Sequence, residues 1–242
     1  MSKFACGLVA DPPDSRDFML QDYLSPAPEP ILSVFEVSPL SPIRDQKTQP
    51  ICVGEACSGL KDNQERLQGK DDFLSSPLFI YNESKKRDGL NGGGTYLRIA
   101  LKVLQDIGTV EESCCPYNGR LNVPYCDGWE EQAAKYKIKG YASVSPDPME
   151  MVKALATFGP CVVGMYTSQS WSRTTNGNIS DMTDNRYRRG GHAILFIGYN
   201  LHTKRFKFRN SWGDDWGDHG NGTLSFHEYQ TQMLTAWSSI DL

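Results

Sequence analysis

The hydrophobic repeat changes its period part-way along the chain, and this restricts the fold more than any other feature. From Cys52 to Leu67, apolar or small residues stand at 52, 53, 56, 57, 60 and 67, close to a helical repeat, with Pro50 just ahead and no proline inside. Helices are also predicted over Ser76–Asp88 and over Thr95–Gln105, the latter before a stop at Gly108. After Tyr136 the period shortens toward two. Residues 136–144, 160–167, 192–200, 205–210 and 222–229 read as strands, with a helix over Met149–Phe158 between them. A helical first half followed by a β-rich second half defines an α+β fold.

At 242 residues the chain can form one unit with two lobes, burying about 70–75% of its unfolded surface. A net charge of −4 with interspersed signs leaves no basic stripe for nucleic acid, even with Arg188 and Arg189 adjacent. No stretch has the composition of a signal peptide or a membrane span, which predicts a cytoplasmic protein, or one exported by another route. Seven cysteines, an odd number, leave at least one unpaired, and Cys52 is the expected free one. In a reducing compartment all seven would be thiols; if a pair forms, Cys115–Cys126 around Asn118-Gly119-Arg120 is expected. No Cys-x2-Cys or closely spaced His pair occurs, so no metal is expected.

Two segments carry side chains suited to chemistry. Gln46 stands six residues before Cys52, which opens the first predicted helix; Gly191-His192-Ala193 begins a β run 140 residues later, followed by Asn210-Ser211-Trp212-Gly213. A thiol at a helix N-terminus is stabilised as thiolate by the backbone N–H groups and the macrodipole. An imidazole can act as base and then acid, one amide can orient it, and a second amide with the Cys52 N–H can donate to a developing oxyanion. These are the parts of a cysteine hydrolase. Cys57 shares a helix face with Val53 and reads as a buried thiol, while His202, His219 and His227 sit in turn or surface contexts.

The words around these residues extend the pattern. IRDQKTQPICVGEA, then residues 77–118 through CCPYN, then GGHAILFIGYN and FRNSWGDDWGDHGNGTLSF occur in the order in which papain-like cysteine peptidases carry their oxyanion, nucleophile, cleft, histidine and asparagine segments. The chain thus resembles that family, in its compact microbial or viral form, from about Leu32 to Phe226. The resemblance implies two lobes, helical over about 31–135 and antiparallel and barrel-like over about 136–242, with the active site between them and no metal or organic cofactor. It also implies hydrolysis of a polypeptide through a Cys52 thioester, with His192, Asn210 and Gln46 as the other catalytic residues. Asn91-Gly92-Gly93 would form a cleft edge pairing with substrate backbone, Gly191 would line the cleft and Trp212 would shelter the His–Asn bond. Two readings remain open beside it: a decayed binding or structural module, and an isopeptide or amide hydrolase or transferase.

Residues 1–30, with PPD and PAPEP, read as an extended leader outside the core. Asp11–Asp17 resembles the start of compact microbial enzymes of this family, so the leader is either a short pro-segment or strap on its own cleft, or an inert arm. The bridge of secreted relatives cannot form, because Gln49 and Leu90 stand where they have cysteines. Cys52-Val53-Gly54-Glu55 replaces their Cys-Trp-Ala-Phe. Gly54 costs about 1 kcal/mol of helix propensity. Glu55 is either a favourable first-turn carboxylate or a charge that stabilises the imidazolium while disfavouring the thiolate. Exchanging it for glutamine is then expected to shift the acidic limb of the pH–rate profile.

Overall fold

The structure, a computed structural model, describes residues 5–23 and 31–240; the PAPEP run lies outside the described residues. Helix α1 spans Cys52–Leu67, α2 Pro77–Lys85 and α3 Leu97–Asp106, where helices were expected. Ser76 caps α2, its Oγ accepting from Phe79 N at 3.1 Å, and Pro77 takes the first turn, where a missing N–H costs nothing.

The second half forms a sheet with β1 (Val34–Glu36) added from the first. Its other strands are β2 (Gly140–Ser143), β3 (Cys161–Thr167), β4 (Gly190–Asn200), β5 (Arg205–Arg209), β6 (Asn221–Ser225) and β7 (Met233–Ile240). They run antiparallel in the order β2-β7-β3-β4-β5-β6, with β1 on β4. α5 (Pro148–Phe158) lies between β2 and β3 in sequence; α4 (Trp129–Ala133), α6 (Gln169–Arg173) and α7 (Phe226–Gln232) are short. The strand expected over 222–229 ends at Ser225, because Ser225 Oγ accepts from Glu228 N at 2.9 Å and starts α7 instead.

α1 is buried from Cys52 to Glu65. Val53, Cys57 and Leu60 pack with Leu195, Ile197 and Trp237 of the sheet in one apolar cluster that joins the lobes. Two of its buried carboxylates are closely paired: Asp62 accepts from Arg44 at 2.5 Å and Glu65 meets Lys61 at 2.6 Å. Gly54 is explained by contact: a Cβ there would stand 2.3 Å from Pro77 O, so only glycine lets α1 lie this close to α2.

Two expectations are corrected. The disulfide joins Cys114, not Cys115, to Cys126, so the cysteines are not all thiols; Cys126 N donates to Cys114 O at 3.0 Å and those Cα atoms stand 4.8 Å apart. The leader does not lie outside the core. Leu20 is buried in the cluster beneath the sheet and Leu8 in the one between the lobes. Asp11 clips the segment down, accepting from Thr235 Oγ1 (2.7 Å), Trp237 Nε1 (2.9 Å) and Arg98 N (3.1 Å).

Candidate active site

Cys52 occupies the first turn of α1 and His192 the start of β4, and the packing of α1 on β4 brings the two segments together. Cys52 and His192 have no exposed surface. Asn210, just past β5, places Oδ1 2.7 Å from His192 Nε2. The same Oδ1 accepts from Ser211 N at 2.8 Å, which makes that atom the oxygen. His192 Nε2 therefore carries the proton and donates it, leaving Nδ1 as the basic nitrogen of the neutral ring. Nδ1 has no hydrogen-bond partner among the described residues. The Trp212 ring covers the imidazole, centroids 4.6 Å apart and tilted 30°, and Trp171 meets it edge-on at 6.2 Å. Trp171 comes from α6, so the segment between β3 and β4 supplies one wall around His192.

Gln46 is fully buried, and its orientation is set by a neighbour. Ser211 Oγ donates to Gln46 Oε1 at 2.7 Å, so Gln46 Nε2 turns outward to the carbonyls of Gln49 (2.9 Å) and Ala5 (3.1 Å). Ser211 thus touches both amides of the site. The sequence alone assigns Ser211 no role, and its adjacency to Asn210 is the signal that marks it.

The leader crosses this centre. The backbone of Gly7, Ala193 and Val53 lies close enough to the Cys52 sulfur to oppose the effect of burial on its thiol. Leu8 N donates to Gly191 O at 3.1 Å, Thr95 N to Gly7 O at 2.9 Å and Val9 N to Thr95 O at 3.0 Å. A peptide segment is therefore paired to both sides of the cleft. Pairing runs through Thr95, with Gly94 beside it: a Cβ on Gly94 would stand 2.4 Å from Gly7 O. Asn91, Gly92 and Gly93 are exposed and take no part in it.

Under this cover the charged pair is suppressed. Burial pushes the Cys52 thiol up to about 12, against the opposing backbone hydrogen bonds, and burial pushes His192 down to about 4, with the Asn210 bond opposing. The covered site holds a neutral thiol and a neutral imidazole at pH 7. Among the described residues no group of three His, Cys, Asp or Glu is arranged to hold a metal, and no helix is long and apolar enough to cross a membrane.

A helical lobe packed on an antiparallel sheet, with a cysteine, a histidine–asparagine pair and a buried amide at their junction, is the architecture of a papain-type thiol hydrolase. The sequence model of the papain family cysteine proteases matches residues 38–237, and the chain belongs to that family. An uncharacterised peptidase C1-like protein of Acanthamoeba polyphaga mimivirus is 28% identical over 208 residues, covering 79% of this chain and 67% of the relative. Human cathepsin O is 28% identical over 182 residues, covering 74% of this chain and 55% of cathepsin O. The chain thus spans between about half and two thirds of these curated relatives. Among solved structures, xylellain, a cysteine protease from Xylella fastidiosa, superposes with a TM-score of 0.88 at 24% identity, over 100% of this chain and 97% of that one. Procathepsin L 3 of the Tenebrio molitor larval midgut superposes at 0.74 with 21% identity, over 88% and 71% respectively. Both structural likenesses speak to the fold.

Proposed function

We propose that the chain is a cysteine endopeptidase whose own leader lies in its substrate cleft. Cys52 attacks a peptide carbonyl, His192 takes the thiol proton through Nδ1 and returns it to the leaving amine, and water then hydrolyses the thioester. Asn210 holds the imidazole and accepts from the imidazolium. Gln46 Nε2 and the Cys52 N–H donate to the oxyanion, each such donor being worth roughly 3 kcal/mol in the transition state. The substrate is a polypeptide in extended form. The observation that carries this reading is that a peptide carbonyl, that of Ala5, already sits on Gln46 Nε2 while the next residues pair with Gly191 and Thr95 beside Cys52.

The leader acts as a strap. It fills the positions a substrate backbone needs, and its removal returns solvent and the ionised thiolate–imidazolium pair to the site. The test is intact-mass spectrometry of reduced protein exposed to a peptidyl epoxysuccinyl inhibitor, with casein hydrolysis in parallel, on wild type, Cys52→Ala and Leu8→Asp. One adduct per chain and casein fragments are expected from wild type, more rapidly from Leu8→Asp, and neither from Cys52→Ala. A Leu8→Asp protein that folds but neither takes the adduct nor cuts casein overturns the reading.

A further inference from the structure

Glu55 is the clearest departure from the family's words around the nucleophile, and its surroundings give it a task. Its side chain points inward from the first turn of α1 and the residue is 3% exposed. Arg44 Nη1 lies 3.8 Å from Oε2, too far for a hydrogen bond, and Oε1 has no hydrogen-bond partner among the described residues. A buried oxygen left this way costs stability unless something donates to it.

Oε1 does not stand alone. Glu55, Arg44, Arg209 and Asn210 line one small cavity between α1 and the ends of β4 and β5. Asn210 Nδ2, Arg44 Nε and Arg209 Nε also lack hydrogen-bond partners among the described residues. Asn210 is 4% exposed, so its NH2 group, like the Glu55 oxygen, has no access to bulk water. The cavity offers about 20 Å³ to the centre of a water molecule, where about 10–15 Å³ suffices for one. A water there has the polar neighbours it needs. The groups left without partners there, the Asn210 Nδ2 and arginine Nε donors and the Glu55 Oε1 acceptor, are of the kinds one bridging water requires.

We propose that Glu55 is a positioning residue for Asn210: through one water molecule in this cavity it holds the amide with Nδ2 inward and Oδ1 facing His192. The inference rests on the peptidase reading for its kinetic consequence, but not for its geometry. A flipped amide would set Nδ2 against the Nε2–H of His192, donor against donor, and the imidazolium formed in the reaction would lose its acceptor. The Ser211 N–H already favours the correct orientation from one side, and the cavity adds a reason from the other. The groups facing Glu55 are Arg44 and Asp45 before α1, Asp62 on α1 and Glu112 after α3, with Arg209 of β5 across the cavity. Burial raises its carboxyl to about 8, so the charge expected to shift the acidic limb of the pH–rate profile is absent at pH 5–6, and an uncharged carboxyl still presents an acceptor oxygen. The role therefore needs an acceptor at this place, and glutamine supplies one.

Glu55→Gln and Glu55→Leu in the full chain separate this role from packing. Expected is a Gln protein within about twofold of wild type in kcat at pH 5–6, and a Leu protein about tenfold or more lower in kcat with KM within about twofold. A Leu protein with wild-type kcat, or a Gln protein as impaired as Leu, overturns the proposal. Should Leu not fold, wild type decides by itself: NMR of the Asn210 side-chain amide is expected to show a rotating-frame Overhauser contact from its protons to a long-lived water, and none would overturn the assignment. If wild type cleaves no peptide while that contact is present, the peptidase reading fails and the positioning geometry stands.

Discussion

Ser211 joins the two amides of the site, and its hydroxyl is the reason Gln46 presents nitrogen rather than oxygen to the cleft. Removing it frees the amide to rotate and so loses part of one oxyanion donor, not the binding of substrate. Ser211→Ala is expected to lower kcat about tenfold with KM nearly unchanged, as part of the roughly 3 kcal/mol such a donor supplies; equal losses in a Gln46→Ala background would show the two act separately. His192 gives a pH signature of its own. Its folded value, about 4, lies below the ordinary 6.5, so the unfolded chain takes up a proton first. The stability it contributes is complete above pH 6.5 and is lost as pH falls toward 4, up to about 3 kcal/mol for a shift of this size. Urea titrations from pH 7.5 to 4 are expected to show a shallower loss for His192→Gln than for wild type; parallel curves would mean a charged imidazole in the folded protein. Cys52, His192, Asn210 and Gln46 were legible because their spacing and neighbouring words are specific. The pairing at Thr95 was not, because a glycine run marks where backbones can approach without saying which residue hydrogen-bonds.

At the level of elements, α1 shows how a locally unfavourable residue is kept. Gly54 weakens the helix by about 1 kcal/mol relative to alanine, yet an alanine Cβ would meet Pro77 O at 2.3 Å. The overlap is with backbone, so α2 as a whole must shift. Gly54→Ala is therefore expected to lower stability by about 1–3 kcal/mol in urea titration, against its helix propensity; a gain would show that α2 yields freely. The bounds of α1 were legible from period and composition. β7 was not expected at all. It lies between β2 and β3, with Ala236 in the cluster beneath the sheet and Trp237 in the one between the lobes, so both faces are buried and the apolar–polar alternation that reveals a strand is missing. The strand expected through His227 failed for the opposite reason: its alternation continues past Ser225, but the Ser-x-x-Glu cap turns the chain into α7.

On the scale of the whole molecule, the proposed strap would compete with substrate from within the same chain. Its anchors are Asp11 on Thr235, Trp237 and Arg98, the Asp17–Arg98 ion pair at 2.7 Å, and buried Leu20. They hold residues 5–9 beside the cleft, so closing is an intramolecular event at high effective concentration, and few contacts are needed to keep the site covered. Within residues 5–9, Leu8 is the large apolar side chain that is buried. Its side chain enters the space left by Gly164, where a Cβ would stand 2.3 Å from Leu8 Cδ2, with Thr235 and Leu234 around it. Truncating a buried leucine costs about 2–5 kcal/mol, and this loss falls on the closed form if the open form leaves Leu8 in water. Each 1.4 kcal/mol is a factor of ten, so Leu8→Ala is expected to raise the rate of Cys52 alkylation by iodoacetamide at pH 7 about 30-fold or more. Asp11→Asn weakens the anchor without touching the cleft and is expected to give a smaller rise in the same direction. Alkylation of Leu8→Ala at the wild-type rate, with the fold intact by circular dichroism, would show that the strap does not limit access to the thiol.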